Sequence, residues 1–566
     1  MARDCRLILP IASKDMDAEH TDFDSPDYVD PTDFANVKSG MFPLDSSVKR
    51  QAALAPTPLL IVADAEIVGH PDDFNEAELR LATKTKALYF NQHNRRFTWE
   101  LTVSNHTIHA YVFGTDGIWA STATDISSTK GHRAFISLLV SWLLCSVGRL
   151  GFGPSIRYVI DGSVGGPYLE IDVHEMDEST GKVKPHMYYS QQCLGAADRL
   201  FGRHARYFAA STSPKSMDKP AFLIKDMWAA LGSGSADDTR ESSFLDILHG
   251  TFDKSSEFYG SFSQLVSSGP VYINRGDTVV ADSTAMAFAG LPSITQDTPK
   301  DNSNAQGSSN SKVQRSSSTC FRQHRRTVAK WARNMISVAD SQSQVVVAVA
   351  DAMAALNAVY VKCKILHGNI GDRAIQLQKT TDRVKGVLAD FGYASNAGDS
   401  AGAVEVPELM LFQSIRCLED PRVVRTLLDD CESLLYLVCW LGTFGVNQAQ
   451  RTAYAAEYTT RCTPRYKPRL PILRWNQESA DDIAEHKRSH MASIDSFDED
   501  ILSKMRENSP LHRLAVDMYM ALFTHPGCSG TKPVSNLWPA AHGAAPPLGG
   551  ERDPLILRNA FENETM

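Results

Sequence analysis

Between residues 97 and 119, apolar and polar positions alternate along the chain. Phe97, Leu101 and Val103 share one parity beside Trp99, and Ile108, Ala110 and Val112 repeat the pattern after the polar pair Ser104 and Asn105. A period of two marks half-buried strands, so an antiparallel sheet is predicted here. Asp116 and Gly117 supply the turn residues of a hairpin leading into Ile118 and Trp119. From residue 130 to 148 apolar side chains recur on most faces, which predicts a helix packed against that sheet. Further along, AFLIKDMW reads as a strand and RESSFLDIL as an amphipathic helix. Ser341 opens a long helix through Lys362, and helices are expected over 429–442, 498–505 and 511–523, the last with Ser509 as N-cap and Pro510 in the first turn.

The longest apolar runs, 134–147 and 345–361, both read as buried helices. The first is shorter than the ~18 to 20 residues a bilayer span needs, and the second is broken by Asp351 and Asn357. The N-terminal stretch MARDCRLILPIASKDMD lacks the apolar core of a secretory signal. The expected location is therefore intracellular, in cytoplasm or nucleus, with no signal peptide or transmembrane segment.

Three stretches lack the apolar residues a core requires. Residues 1–35 hold nine acidic and three basic side chains, residues 293–319 are rich in Ser, Asn and Gln, and the chain after His525 is rich in Pro, Gly and Ala. A disordered N-terminal segment, a flexible insertion and a C-terminal tail are expected. Charge changes little else. The chain has 57 basic and 66 acidic residues, and removing the first 35 leaves 54 against 57, a nearly neutral body. Broad coating of nucleic acid needs a basic excess and is not expected. Ten Cys with no C-x-x-C pair argue against a disulfide scaffold. Arg322, Arg325, Arg326, Lys330 and Arg333 cluster around Trp331 and read first as a solvated helix face, with an import signal or an acidic docking patch as alternatives. His106 and His109 read as ordinary strand residues, since no third ligand stands at metal-site spacing.

Four features, in order, suggest phosphoryl-transfer chemistry. Lys225 ends the apolar run of AFLIKDMW, a rigid base from which an ammonium can be aimed at a phosphate. Glu241, 16 residues later at a helix start, can hold that lysine extended, or can simply complement the helix dipole. LHGNIGDRAIQL follows the long helix, and VLADFGYA sets Asp390 before Phe391 and Gly392, where a carboxylate after a strand can position magnesium.

These motifs, together with RRFTWELTVSNHTIHAYVFGTDGIWAS, RLGFGPSIRY, RLFGRHARYFAA, LFQSIRCLE and LLDDCESLLYLVCWLGTFG, resemble the fungal-type protein kinase family over residues 81–523. The resemblance implies an α+β, bilobal protein kinase-like fold. Its parts would be an acidic segment (1–60), an α+β accessory domain (61–190), a β-rich N-lobe (191–291), a disordered insertion (292–321), a helical C-lobe (322–525) and a tail (526–566). It implies ATP and Mg2+ as cofactors, with Lys225, Glu241, Gly195 and Gly202 at the nucleotide and Asp390 at the metal. Asp430 matches the buried aspartate that braces the catalytic loop. The loop itself departs from the family pattern. After His367, the expected arginine and aspartate are Gly368 and Asn369, and Ala374 stands where an asparagine would hold a second metal. An asparagine amide can orient a hydroxyl but has almost no basicity. Asp372 is the substitute base within reach along the chain.

The sequence thus predicts a catalytically impaired, pseudokinase-like protein that binds ATP and acts as a regulatory or interaction module. Its expected partners are ATP and a protein substrate or regulator, with no membrane; nucleic acid is not expected beyond a local patch. Two alternatives are an active Ser/Thr kinase using Asn369 or Asp372 unconventionally, and a scaffold that binds no nucleotide.

Overall fold

The computed structural model describes residues 63–523 apart from 69–73, 232–239, 288–320, 399–409, 447–470 and shorter gaps. The expected acidic segment and C-terminal tail lie outside the described residues, as does the expected insertion except Phe321. The chain divides into two compact units. One contains the described residues up to Lys219 with Leu223–Asp238 and Ser267–Thr327; the other contains Pro220–Phe222, Thr239–Val266 and the described residues from Val328.

The first unit begins with β1 (Ala63–Val68), α1 (Phe74–Asn91), β2 (Phe97–Ser104), β3 (Thr107–Gly114), β4 (Gly117–Ala120) and the two-residue β5 (Thr124–Asp125). Their sheet runs β1-β2-β3-β4, with β5 also on β3; β1 is parallel to β2 and the other pairs are antiparallel. The predicted hairpin is present, but the register Gly114↔Gly117 places Thr115 and Asp116 in the turn, one residue earlier than the motif suggests. His109 lies in β3, and His106 in the turn before it. Both faces of β2 are buried. The polar parity, Thr98, Glu100, Thr102 and Ser104, is as enclosed as the apolar one, and Thr85 of α1 donates its hydroxyl to Glu100 Oε1 at 2.9 Å.

Helix α2 (Thr129–Leu144) is capped by Ser128, whose side chain accepts from Gly131 N–H. It sets Leu138 against Leu101 and Ala110. It is not the buried helix that its apolar run suggests: Ile136, Leu139, Val140 and Leu144 are exposed. A helix lying on one sheet hides one stripe, and the apolar residues here cover more than one.

The unit's second sheet joins β6 (Ile156–Asp161), β7 (Gly166–Asp177), β8 (Lys182–Ala196), β9 (Arg206–Ser211), β10 (Phe222–Ala230), β11 (Leu265–Pro270) and β14 (Arg322–Lys330) in the order β11-β14-β10-β9-β8-β7-β6. A separate ribbon pairs β12 (Tyr272–Arg275) with β13 (Thr278–Ala281). The basic cluster is therefore a strand, not a solvated helix face. Arg325 and Arg326 are buried, Arg326 to 1% exposure.

The second unit is mainly helical. It holds α3 (Arg240–Thr251), β15 (Arg333–Met335), α4 (Gln342–Cys363), β16 (Ile365–Leu366), β17 (Ile375–Lys379), β18 (Val384–Leu388), β19 (Ser395–Asn396), α5 (Ile415–Glu419), α6 (Leu427–Phe444), α7 (Ala480–His490), α8 (Ile494–Asp500) and α9 (Pro510–Phe523). By length and composition α4 is apolar enough to cross a membrane, yet ten of its apolar side chains lie in the core of this unit. Asp351, which breaks its apolar run, accepts Gly386 N–H at 2.9 Å and pairs with Arg383 at 3.1 Å. The caps at Ser341 and Ser509 are as the sequence predicts. The helix expected over 498–505 starts earlier, because Ser493 caps α8 by accepting from Ser496 N–H, and its second half is a 3-10 turn at Leu502–Lys504.

Strand β18 crosses α4 so closely that a Cβ on Gly386 would lie 2.4 Å from the Ala348 carbonyl oxygen. Backbone cannot yield as a side chain can. Gly386→Ala is expected to destabilise this unit by about 1–3 kcal/mol, the usual cost of overpacking, read as a lower urea midpoint.

Candidate functional site

The loop between β16 and β17 is shaped from beneath by the first turn of α6. Thr426 and Asp429 form a reciprocal capping box there. The next residue, Asp430, is buried; its Oδ2 accepts His367 N–H and its Oδ1 accepts Gly368 N–H, both at 2.8 Å. Burial raises the pKa of this carboxyl above its ordinary value, against the opposing pull of His367 and the two N–H groups.

His367 is enclosed, with its ring 4.6 Å from that of Phe391. Its Nε2 lies 2.8 Å from the Ala389 carbonyl, which can only accept, so Nε2 carries the proton. Nδ1 is then free to accept Asn369 N–H at 3.3 Å. The loop is in this way tied to the strand end that carries Asp390. Asp390 has a left-handed backbone (φ 64°, ψ 54°), 7% exposure, and a following 3-10 turn whose Phe391 is buried against Phe262 and His367.

Asn369 and Asp390 meet directly. The Asn369 amide Nδ2 donates to Asp390 Oδ2 at 2.9 Å. Ala374 is buried; its N–H goes to the Gly371 carbonyl at 3.1 Å and its carbonyl accepts Ala389 N–H at 2.8 Å. Asp372 sits half-buried in the intervening turn. Magnesium needs oxygen ligands in near-octahedral array. Here Asp390 offers oxygens, Asn369 turns an N–H rather than its carbonyl toward them, and Ala374 offers none. Among the described residues, no group of three His, Cys, Asp or Glu could hold a metal ion. The donors present do not fit the two-metal arrangement implied by the resemblance.

Arg425 was not singled out by sequence reasoning. Gly368 adopts φ +74°, and a Cβ there would lie 2.3 Å from Arg425 Nη1 and 2.7 Å from the Tyr393 carbonyl oxygen. Arg425 uses that room, donating Nη1 to the Gly368 carbonyl at 2.9 Å. The loop lacks its own arginine at 368 and receives a guanidinium from just before the N-cap of α6. The available signal was a glycine in an arginine's position, which marks space for another group.

The remaining candidates lie on other elements. Glu241 is buried in the first turn of α3, in the second unit. Lys225 is buried in the middle of β10, not at the end of a run, in the first unit. Gly195 lies in β8 opposite Tyr207 of β9. Gly202 has φ +119° with open space around it, and its N–H donates to the Thr115 carbonyl at 2.9 Å, so that amide is already engaged. Two residues on, His204 turns its ring to the Leu200 carbonyl, and burial, with Arg206 nearby, lowers its pKa to about 3.

Next to Lys225, Asp226 centres an ionic network that the sequence did not reveal. Its Oδ1 receives His324 Nε2 at 2.7 Å and Arg326 Nε at 2.6 Å, while Arg206 Nη1 lies 3.7 Å from Oδ2. His324 Nδ1 reaches Asp282 Oδ2 at 3.1 Å, Arg96 pairs with Asp282, and Trp228 stacks on the His324 ring at 4.5 Å. Burial alone would raise the Asp226 pKa, but the surrounding cations outweigh it and hold the carboxyl well below the usual range. Burial would lower that of His324, but Asp226 and Asp282 raise it. Since successive strand side chains alternate in direction, this network anchors the strand from the side opposite Lys225.

The family model for fungal protein kinases matches residues 59–442, more than half of the chain. The chain belongs to the fungal protein kinase family. No curated protein matches the sequence. The match takes in Lys225, Glu241, the His367 loop, Asp390 and Asp430, so each lies within the kinase-like region of this family member. It also begins upstream of residue 81, where the motif resemblance starts, and stops before α9.

Proposed function

We propose that this fungal protein kinase family member is catalytically impaired: a pseudokinase-like protein that binds ATP through Lys225, Glu241 and Asp390 and acts as a regulatory or interaction module inside the cell. On this reading the fold is bilobal, with residues 191–291 as the β-rich lobe and 322–525 as the helical lobe, after an accessory region at 61–190. The observation that carries it is the Asn369 to Asp390 hydrogen bond. The loop position that should supply a base holds an amide, and one N–H of that amide is committed to the neighbouring carboxylate. General-base assistance contributes about 10²- to 10⁴-fold, so phosphotransfer should run slower than that of working kinases by roughly this factor. Binding does not require the base. A buried strand lysine and a helix carboxylate are the residue types suited to nucleotide contact.

The test combines binding and transfer on the full chain. ATP at about 100 times its Kd should stabilise the native protein by about 2.7 kcal/mol, seen as a raised thermal midpoint, and Lys225→Ala should remove most of that shift. Labelled-phosphate transfer should stay near background. Transfer at ordinary kinase rates, abolished by Asp390→Ala, would overturn the impaired reading. A midpoint indifferent to ATP would overturn the nucleotide reading.

A further inference from the structure

The Asn369 amide donates to Oδ2 of Asp390, one of the two oxygens that carboxylate could offer a cation. Both partners are held in place by groups that have nothing to do with a ligand. Asn369 follows a backbone segment clamped by Asp430 and is tied through its own N–H to the His367 ring. Asp390 is fixed by its left-handed backbone and by the buried Phe391 beside it. The 2.9 Å contact between them is therefore preorganised, and the charge-assisted bond places partial positive charge on the carboxylate.

A divalent cation at Asp390 would share the carboxylate with that N–H and would have to complete its coordination elsewhere. Position 374 cannot help, because its side chain is a methyl and its carbonyl oxygen already accepts Ala389 N–H. Asparagine in place of aspartate at 369 also removes one negative charge from beside Asp390, lowering the repulsion that an uncomplexed polyphosphate meets there.

We propose that Asn369 takes the place of the divalent cation at Asp390, so that this chain binds a nucleoside triphosphate as the metal-free polyanion and gains nothing from magnesium. This rests on the nucleotide-binding reading above and adds to it the form in which the nucleotide is taken.

The experiment is calorimetric titration of the full chain with ATP, once in EDTA and once in excess magnesium, for the native protein and for Asn369→Asp. The native protein should bind no more tightly in magnesium than in EDTA, and more weakly to the extent that magnesium draws ATP into its own complex. Asn369→Asp sets a carboxylate against the Asp390 carboxylate, so its affinity should fall at least about tenfold in EDTA and recover in magnesium. Native binding at least about tenfold tighter with magnesium would overturn the inference while leaving nucleotide binding intact. Binding in neither buffer would overturn the nucleotide reading, and this inference with it. Should Asn369→Asp fail to fold by circular dichroism, the native comparison between the two buffers decides the question by itself.

Discussion

Asp226→Ala is expected to lower the stability of the first unit by about 3–5 kcal/mol, the range for stripping one partner from a buried ion pair. The carboxylate is the common counter-charge of His324 and Arg326, with Arg206 close by, and all are buried. Removing it takes this counter-charge from the buried Arg326 and leaves His324 with Asp282 alone. Urea unfolding, followed by tryptophan fluorescence because Trp228 stacks on His324, reads the loss directly. A midpoint equal to that of the native protein would mean that the network contributes nothing. Asp226→Asn keeps the shape and part of the hydrogen bonding and should fall between the two.

The same network sets a pH dependence with a definite sign. The pKa of His324 is raised in the folded protein, so its contribution is complete below the unfolded value of roughly 6.5 and is lost as pH climbs through the folded value. Other buried histidines move the opposite way; His490, for example, is lowered to about 4, chiefly by burial. The informative quantity is therefore the stability difference between native protein and His324→Gln. That difference should be largest below about pH 6.5 and shrink toward alkaline pH. A difference that grows with pH would contradict the assignment of a protonated His324 between Asp226 and Asp282.

Asp430→Ala should cost nearly as much, in the second unit. It leaves the N–H groups of His367 and Gly368 buried without their acceptors, at about 1–3 kcal/mol each. Asp430→Asn separates the two contacts, because an amide keeps one oxygen and presents N–H to the other donor. It should therefore destabilise by about half as much as the alanine. An asparagine variant as stable as the native protein would show that one of the two bonds does not matter. Since Asn369 follows directly from this clamp, both variants should also loosen the Asn369 to Asp390 contact and weaken any ligand response that depends on it.

How much of this was legible in the sequence follows from the range of the interactions. The alternation of β2 and β3, the caps at Ser341 and Ser509, and the string of motifs around Lys225, Glu241, His367 and Asp390 are local patterns, and they were legible as such. The character of β14 was not. Four charged residues among nine look like a solvated surface, and only partners such as Asp226 and Ser155, 100 and 171 positions away, explain how Arg326 is buried. The exposed side of α2 escaped for a related reason, since the sequence shows that a run is apolar but not how many of its stripes meet a sheet. Asn369 was readable as a departure from the family's loop pattern. That its amide would turn to Asp390 was not, because the contact joins two loops through the orientation of one side chain.

The packing of Gly368 against Arg425 decides what position 368 can hold. An arginine placed at position 368 would meet the Arg425 guanidinium and the Tyr393 carbonyl in the space it needs, and would ask a left-handed backbone to carry a long side chain. Removing Arg425 first would strip the Gly368 carbonyl of a donor. Position 369, by contrast, lies outside that block: what meets its side chain is the Asp390 carboxylate, not the Arg425 guanidinium.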